Sequence, residues 1–144
     1  MESKVDHVIL DNKAEIELDD DPFSRIMKIL IVEEDLDKDS FVNLRLSNNS
    51  EIQNMNKKYL GRDELTDVIS FSSEMPGIPF LGDIIIDTNV ANKQKEKRTL
   101  QDELALLFLH GLLHLLNYDH LDTRKAEIMK EKEKRFFEKY KEKI

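Results

Sequence analysis

The thirteen residues from Leu104 to Leu116 constrain this chain more than any other stretch. They are apolar nearly all round, so a helix built from them must be buried at the centre of the fold. They are also too few to cross a bilayer, which takes about 20 residues. Start and stop signals bracket them: Thr99 can cap the helix, Asp102 and Glu103 suit its first turn, and Asn117 tolerates the left-handed backbone of a helix end. Two polar residues interrupt the apolar run. His110 and His114 stand at i and i+4, on one face and one turn apart, where both imidazoles can reach a single ion.

The chain has four histidines, and the third of this group, His120, follows an Asn-Tyr-Asp break that lets the backbone fold back. The spacing is H-x3-H-x5-H. A lone histidine in an apolar helix is ordinarily a core residue bonded to a carbonyl. Three together are different, because burying them without partners costs roughly 1–3 kcal/mol each, and a shared ion removes that cost. There is no cysteine, so the ligands must be nitrogen or oxygen and no disulfide supports the fold. Three neutral imidazoles with a fourth position open are a catalytic type of zinc site, which makes Zn2+ the first expectation, although other first-row metals accept imidazole. Asp119 has two readings, an acceptor that orients one of the histidines or a solvated turn residue. The spacing matches the metal-binding part of the metzincin proteases, H-E-x-x-H-x-x-G-x-x-H. Their glutamate is the general base, and here that place is taken by Gly111, which cannot accept a proton. A protease of that mechanism is disfavoured; metal-dependent hydrolysis is not.

The remaining residues imply a single α+β domain over 1–144, with a mixed sheet of three to five strands packed on the central helix. Val5–Leu10 reads as a first strand continuing weakly to Leu18. Asp19-Asp20-Asp21-Pro22 starts an amphipathic helix that runs to about Asp35. Phe41–Leu46 alternates as a strand, and Asn48-Asn49-Ser50 opens a helix from Glu51 to about Leu60, closed by Gly61-Arg62-Asp63. Asp67–Phe71 and Gly82–Ile86 are further strands, the latter apolar enough to be buried on both faces. Asn89–Lys97 reads as a helix with a basic tail. Thr123–Lys141 reads as a charged helix whose apolar positions are Ile128, Met129, Phe136, Phe137 and Tyr140; its alternating charges suit a solvated face.

Net charge is −8, all of it in residues 1–40, which hold 13 acids and 5 bases; residues 41–144 hold 17 of each. That balance leaves the half bearing the histidines able to meet phosphates without predicting that it does. The N-terminus lacks a basic region followed by an apolar one, so no signal peptide and a cytoplasmic location are expected.

At this point a resemblance emerges. His110-Gly-Leu-Leu-His114-Leu-Leu-Asn-Tyr-Asp-His120 resembles the H-G-x-L-H-L-x-G-Y-D-H signature of the YbeY family, bacterial endoribonucleases of rRNA maturation. Met55–Phe71 is similar to the family block L-N-x-x-Y-R-x-K-D-x-P-T-D-V-L-S-F, and Leu81-Gly82-Asp83-Ile84 to its L-G-D-I strand. The blocks occur in the family's order over roughly residues 40–130. The resemblance implies one α+β domain, a zinc ion on His110, His114 and His120, and hydrolysis of single-stranded RNA in 16S rRNA 3′-end processing and ribosome quality control. Its implied partners are the 16S rRNA precursor and the small ribosomal subunit, with neither membrane nor DNA. Three positions depart from the pattern: Asn117 replaces a glycine, Leu65 a proline, and Leu60 the family's functional arginine. Arg62, two residues on, is the candidate to supply that cation, beside Lys57 and Lys58. Thr66, Asp67 and Ser70 are candidates to line the substrate cleft, with turn capping and strand packing as their alternative roles. No residue stands out as general base. Two other functions fit the same residues, a ribosome-associated assembly factor with a structural metal and a zinc hydrolase of another substrate.

Overall fold

The computed structural model describes residues 2–5, 7–18, 21–48, 52, 54, 67–73, 75 and 77–142. Five strands, β1 (Glu2–Val5), β2 (Val8–Asn12), β3 (Phe41–Ser47), β4 (Val68–Ser72) and β5 (Phe80–Asp87), form one sheet in the order β1-β2-β3-β5-β4. The sheet is mixed, as expected for an α+β fold. The β2/β3 and β3/β5 pairs are parallel, and the outer pairs β1/β2 and β4/β5 are antiparallel. Helices α1 (Pro22–Glu33), α2 (Thr88–Gln94), α3 (Leu100–Leu115) and α4 (Thr123–Lys141) complete the described elements.

Local chemistry sets the helix starts. Asp21 Oδ1 accepts from Ser24 N at 3.1 Å, with Pro22 at the first turn of α1. Asp87 caps α2, Thr99 caps α3 and Asp122 caps α4, each accepting a backbone N–H of the first turn. The main core joins Val8, Val42, Leu44, Leu46, Ile84 and Ile86 from one sheet face to Leu104, Phe108, Leu112 and Leu113 of α3, with Phe23 and Leu30 of α1 and Met129, Phe136 and Tyr140 of α4 around them. Ile85 points the other way, into a smaller cluster with Ile52 and Ile69. β5 is therefore buried on both faces.

Three expected boundaries are corrected. The strand read as Val5 to Leu10 with a weak extension is instead a hairpin of β1 and β2, turning where His7 takes φ 69°. A hairpin of mixed polarity carries no period that separates it from one longer strand. Helix α1 stops at Glu33, before Asp35 at φ 50°, and α2 stops at Gln94, ahead of its basic tail. The helix expected from Glu51 to Leu60 lies outside the described residues except for Ile52 and Asn54, both helical. Among the described residues no helix is long and apolar enough to cross a membrane.

Candidate metal centre

Helix α3 lies on the sheet with Gly111 facing β5. A Cβ at that position would meet Ile84 Cγ2 at 3.1 Å and Ile84 Cδ1 at 3.2 Å. The residue after the first histidine therefore points into the core, and helix and sheet approach closely because it has no side chain. The neighbouring strand repeats the device: Gly82, at φ 144°, would put a Cβ 2.2 Å from the Phe71 carbonyl oxygen and 3.0 Å from Leu115 Cδ2. Beside Gly111 on the same helix, His110 and His114 are half-buried, at the edge of the face that packs on the sheet.

The chain then reverses. Asn117, at φ 73°, donates its N–H to the His114 carbonyl at 3.0 Å, and Tyr118 donates to the Leu113 carbonyl at 3.0 Å. That pair of bonds is a Schellman ending, with asparagine in the left-handed place that glycine usually fills. It returns the backbone so that His120, just before the cap of α4, comes back beside the two helical histidines. Ring centroids are 4.7 Å apart for His110–His114, 5.2 Å for His110–His120 and 5.0 Å for His114–His120. One ligand atom from each lies within 4.8 Å of the other two. Tetrahedral zinc with Zn–N bonds of about 2.0–2.1 Å needs nitrogens about 3.3–3.4 Å apart. The His110 and His114 Nε2 atoms, at 3.2 Å, already have that spacing. The donor set and its spacing thus fit an ion held by three imidazoles.

The electrostatics favour the same form of the site. Burial pushes the His114 pKa below its ordinary 6.5, and the nearby His110 and His120 push it further down. A hydrogen bond to the Tyr118 backbone and the charge of Asp119 oppose this without reversing it. His114 is thereby biased to the neutral imidazole that binds metals. His110 Nδ1 lies 3.2 Å from Glu133 Oε1 on α4.

A second polar group holds the reversal in place. The Tyr118 hydroxyl donates to Glu34 Oε1, and Lys132 Nζ donates to Glu34 Oε2 at 2.9 Å. Burial alone would raise the Glu34 pKa, but the bonds from Tyr118 and Lys132, with the charges of Lys132 and Arg135, bring it below the ordinary carboxylate value. The bond to Glu34 lifts Lys132 above its ordinary value. Burial, then Glu34, raises Tyr118. The chain segment leading to His120 is thus tied to α1 and α4 together.

The other site residues singled out in the sequence are distributed as follows. Asp119 Oδ1 accepts from Leu121 N at 3.0 Å, a turn bond, and reaches His114 only through its charge. Asp67 accepts from Gln94 Nε2 at 2.7 Å, and Gln94 and Arg98 both donate to the buried Glu103 at 3.0 Å. Ser70 is half-buried in β4, opposite Ile84 of β5. Lys57, Lys58, Leu60, Arg62 and Thr66 lie outside the described residues. Sequence reasoning missed Glu133. Its signal was an acid on the otherwise apolar stripe of Met129, Phe136 and Tyr140.

A family model described as endoribonuclease YbeY matches residues 8–141. The endoribonuclease YbeY of Nautilia profundicola is 41% identical over 132 residues, covering 90% of this chain and 88% of that protein. The endoribonuclease YbeY of Bacillus licheniformis is 37% identical over 143 residues, covering 90% and 86%. A solution structure of a Thermotoga maritima protein superposes with a TM-score of 0.58 at 26% identity, covering 93% of this chain and 87% of that one.

Proposed function

The chain belongs to the YbeY endoribonuclease family, and on that premise we propose that it is a zinc-dependent enzyme that cuts single-stranded RNA, acting in 16S rRNA 3′-end maturation and ribosome quality control. One observation carries the reading: three imidazoles converge on a common point, two of them already 3.2 Å apart, with Gly111 where a peptidase would need its base. In this reading residues 1–144 work as one domain in the cytoplasm, on the 16S precursor within the small subunit.

Zinc bound by His110, His114 and His120 would supply a water of lowered pKa and a Lewis acid toward a phosphodiester oxygen. The chain's own groups do the rest. Burial keeps His114 neutral at physiological pH, so no proton has to be displaced from it before an ion binds. Arg62, two places beyond Leu60 where the family carries its arginine, offsets negative charge building on the phosphoryl group. Lys57 and Lys58 attract the RNA backbone. Thr66, Asp67 and Ser70 are the candidates to border the cleft.

The test is cleavage of single-stranded RNA, duplex RNA and an unstructured protein by the zinc-loaded enzyme and by Arg62→Ala. The expected result is cleavage of single-stranded RNA alone, slowed in Arg62→Ala by about 100-fold or more. Proteolysis without RNA cleavage would replace this reading with that of another zinc hydrolase. Failure to cut any RNA, with defective 16S 3′ ends in cells lacking the protein, would replace it with an assembly factor.

A further inference from the structure

We infer that Glu133 is a positioning residue for the metal centre: its carboxylate accepts the Nδ1 proton of His110 and so fixes the tautomer that leaves Nε2 free for an ion. The inference rests on the metal reading above and adds to it a residue from a different helix. A carboxylate oxygen can only accept, so the 3.2 Å contact with Glu133 Oε1 puts the ring proton of His110 on Nδ1. The lone pair is then on Nε2, the atom that faces His114 Nε2 at 3.2 Å. With the opposite tautomer, the proton would sit between the two nitrogens where an ion has to go.

The place of Glu133 on α4 supports the assignment. It stands four residues after Met129 and three before Phe136, both 1% exposed, so it is carried on the face that packs inward. Its side chain keeps only 25% of its exposure, a cost that a surface glutamate does not bear. Lys132, one of the two lysines that flank it in sequence, is bonded to Glu34. A carboxylate behind a ligating histidine makes the imidazole more basic and fixes its orientation, and losing such a partner typically weakens metal binding about 10–100-fold.

The experiment measures zinc affinity by competition with a chelating dye for the wild type, Glu133→Ala, Glu133→Gln and Glu131→Ala. It is paired with 15N NMR of the histidine rings, whose shifts report which nitrogen carries the proton. The expected result is a zinc Kd raised about 10–100-fold in Glu133→Ala, with the His110 ring no longer held in the Nδ1–H form. Glu133→Gln keeps an acceptor oxygen, so it should retain that tautomer and lose less affinity. Glu131→Ala removes the same charge from the exposed side of the helix and should bind zinc as the wild type does. Equal affinity in wild type and both Glu133 variants would overturn the inference and leave the metal reading standing, as would an equal loss in Glu131→Ala. A wild type that binds no zinc would overturn the metal reading itself.

Discussion

Gly111 separates this site from a peptidase more sharply than its missing carboxylate does. A side chain there enters the core beside Ile84, which is 1% exposed. Alanine would gain about 1 kcal/mol of helix propensity against an overpacking cost of the same order, so a shift of a few tenths of an ångström by Ile84 decides the sign. Glutamate would add a buried charge without a partner, costing about 3–5 kcal/mol. Gly111→Glu should therefore lower the melting temperature steeply and create no proteolysis; a folded variant that cut peptides would refute the orientation assigned to this residue. His114 gives a second prediction at this scale. Its pKa is depressed in the folded chain, so the unfolded chain binds more protons below the ordinary value of 6.5. Stability of the metal-free protein should be unaffected by His114 above that pH and fall as the pH drops below it. Denaturant midpoints across pH 7.5 to 5 check this, and His114→Gln should flatten the dependence.

Among the elements, the reversal after α3 is what brings two helical histidines and one loop histidine together. It is held by its own Schellman bonds and by Glu34, Tyr118 and Lys132, which tie it to α1 and α4. Glu34 keeps 11% of its side-chain exposure, so removing its cation leaves a mostly buried carboxylate short of a partner. Lys132→Met should cost about 1–3 kcal/mol, and Tyr118→Phe, which leaves the ion pair, should cost less. Lys139→Met breaks only an exposed 3.9 Å pair with Glu33 and should cost under about 1 kcal/mol. Urea unfolding of the three variants ranks them; equal midpoints would show that the polar group contributes no more than a surface pair. The described helices were legible in the sequence because caps and apolar runs are local: Thr99 and Asp21 each mark a start that the fold keeps. The hairpin at His7 was not, since its turn depends on a left-handed backbone that histidine favours more than most residues yet still takes uncommonly, so the residue by itself marks no turn.

At the scale of the whole molecule, the sheet serves as a platform that seats α3 and lets the chain return past it twice, through the loop carrying His120 and through α4 carrying Glu133. The three histidines were legible because two are a helical turn apart and the third lies close by in sequence. Glu133 was not, because it is 23 residues from His110 and only the packing of α4 on α3 brings them together. Glu34 and Tyr118, 84 residues apart, were hidden for the same reason. The central claim is that these histidines hold an ion on which RNA cleavage depends. The most direct measurement is the metal content of protein purified without added metal, for wild type and His114→Ala, with cleavage of single-stranded RNA followed before and after chelation. One ion per wild-type chain is expected, none in His114→Ala, and cleavage lost with the ion and restored by zinc. Undiminished cleavage by His114→Ala, or by wild type stripped of metal, would contradict that claim.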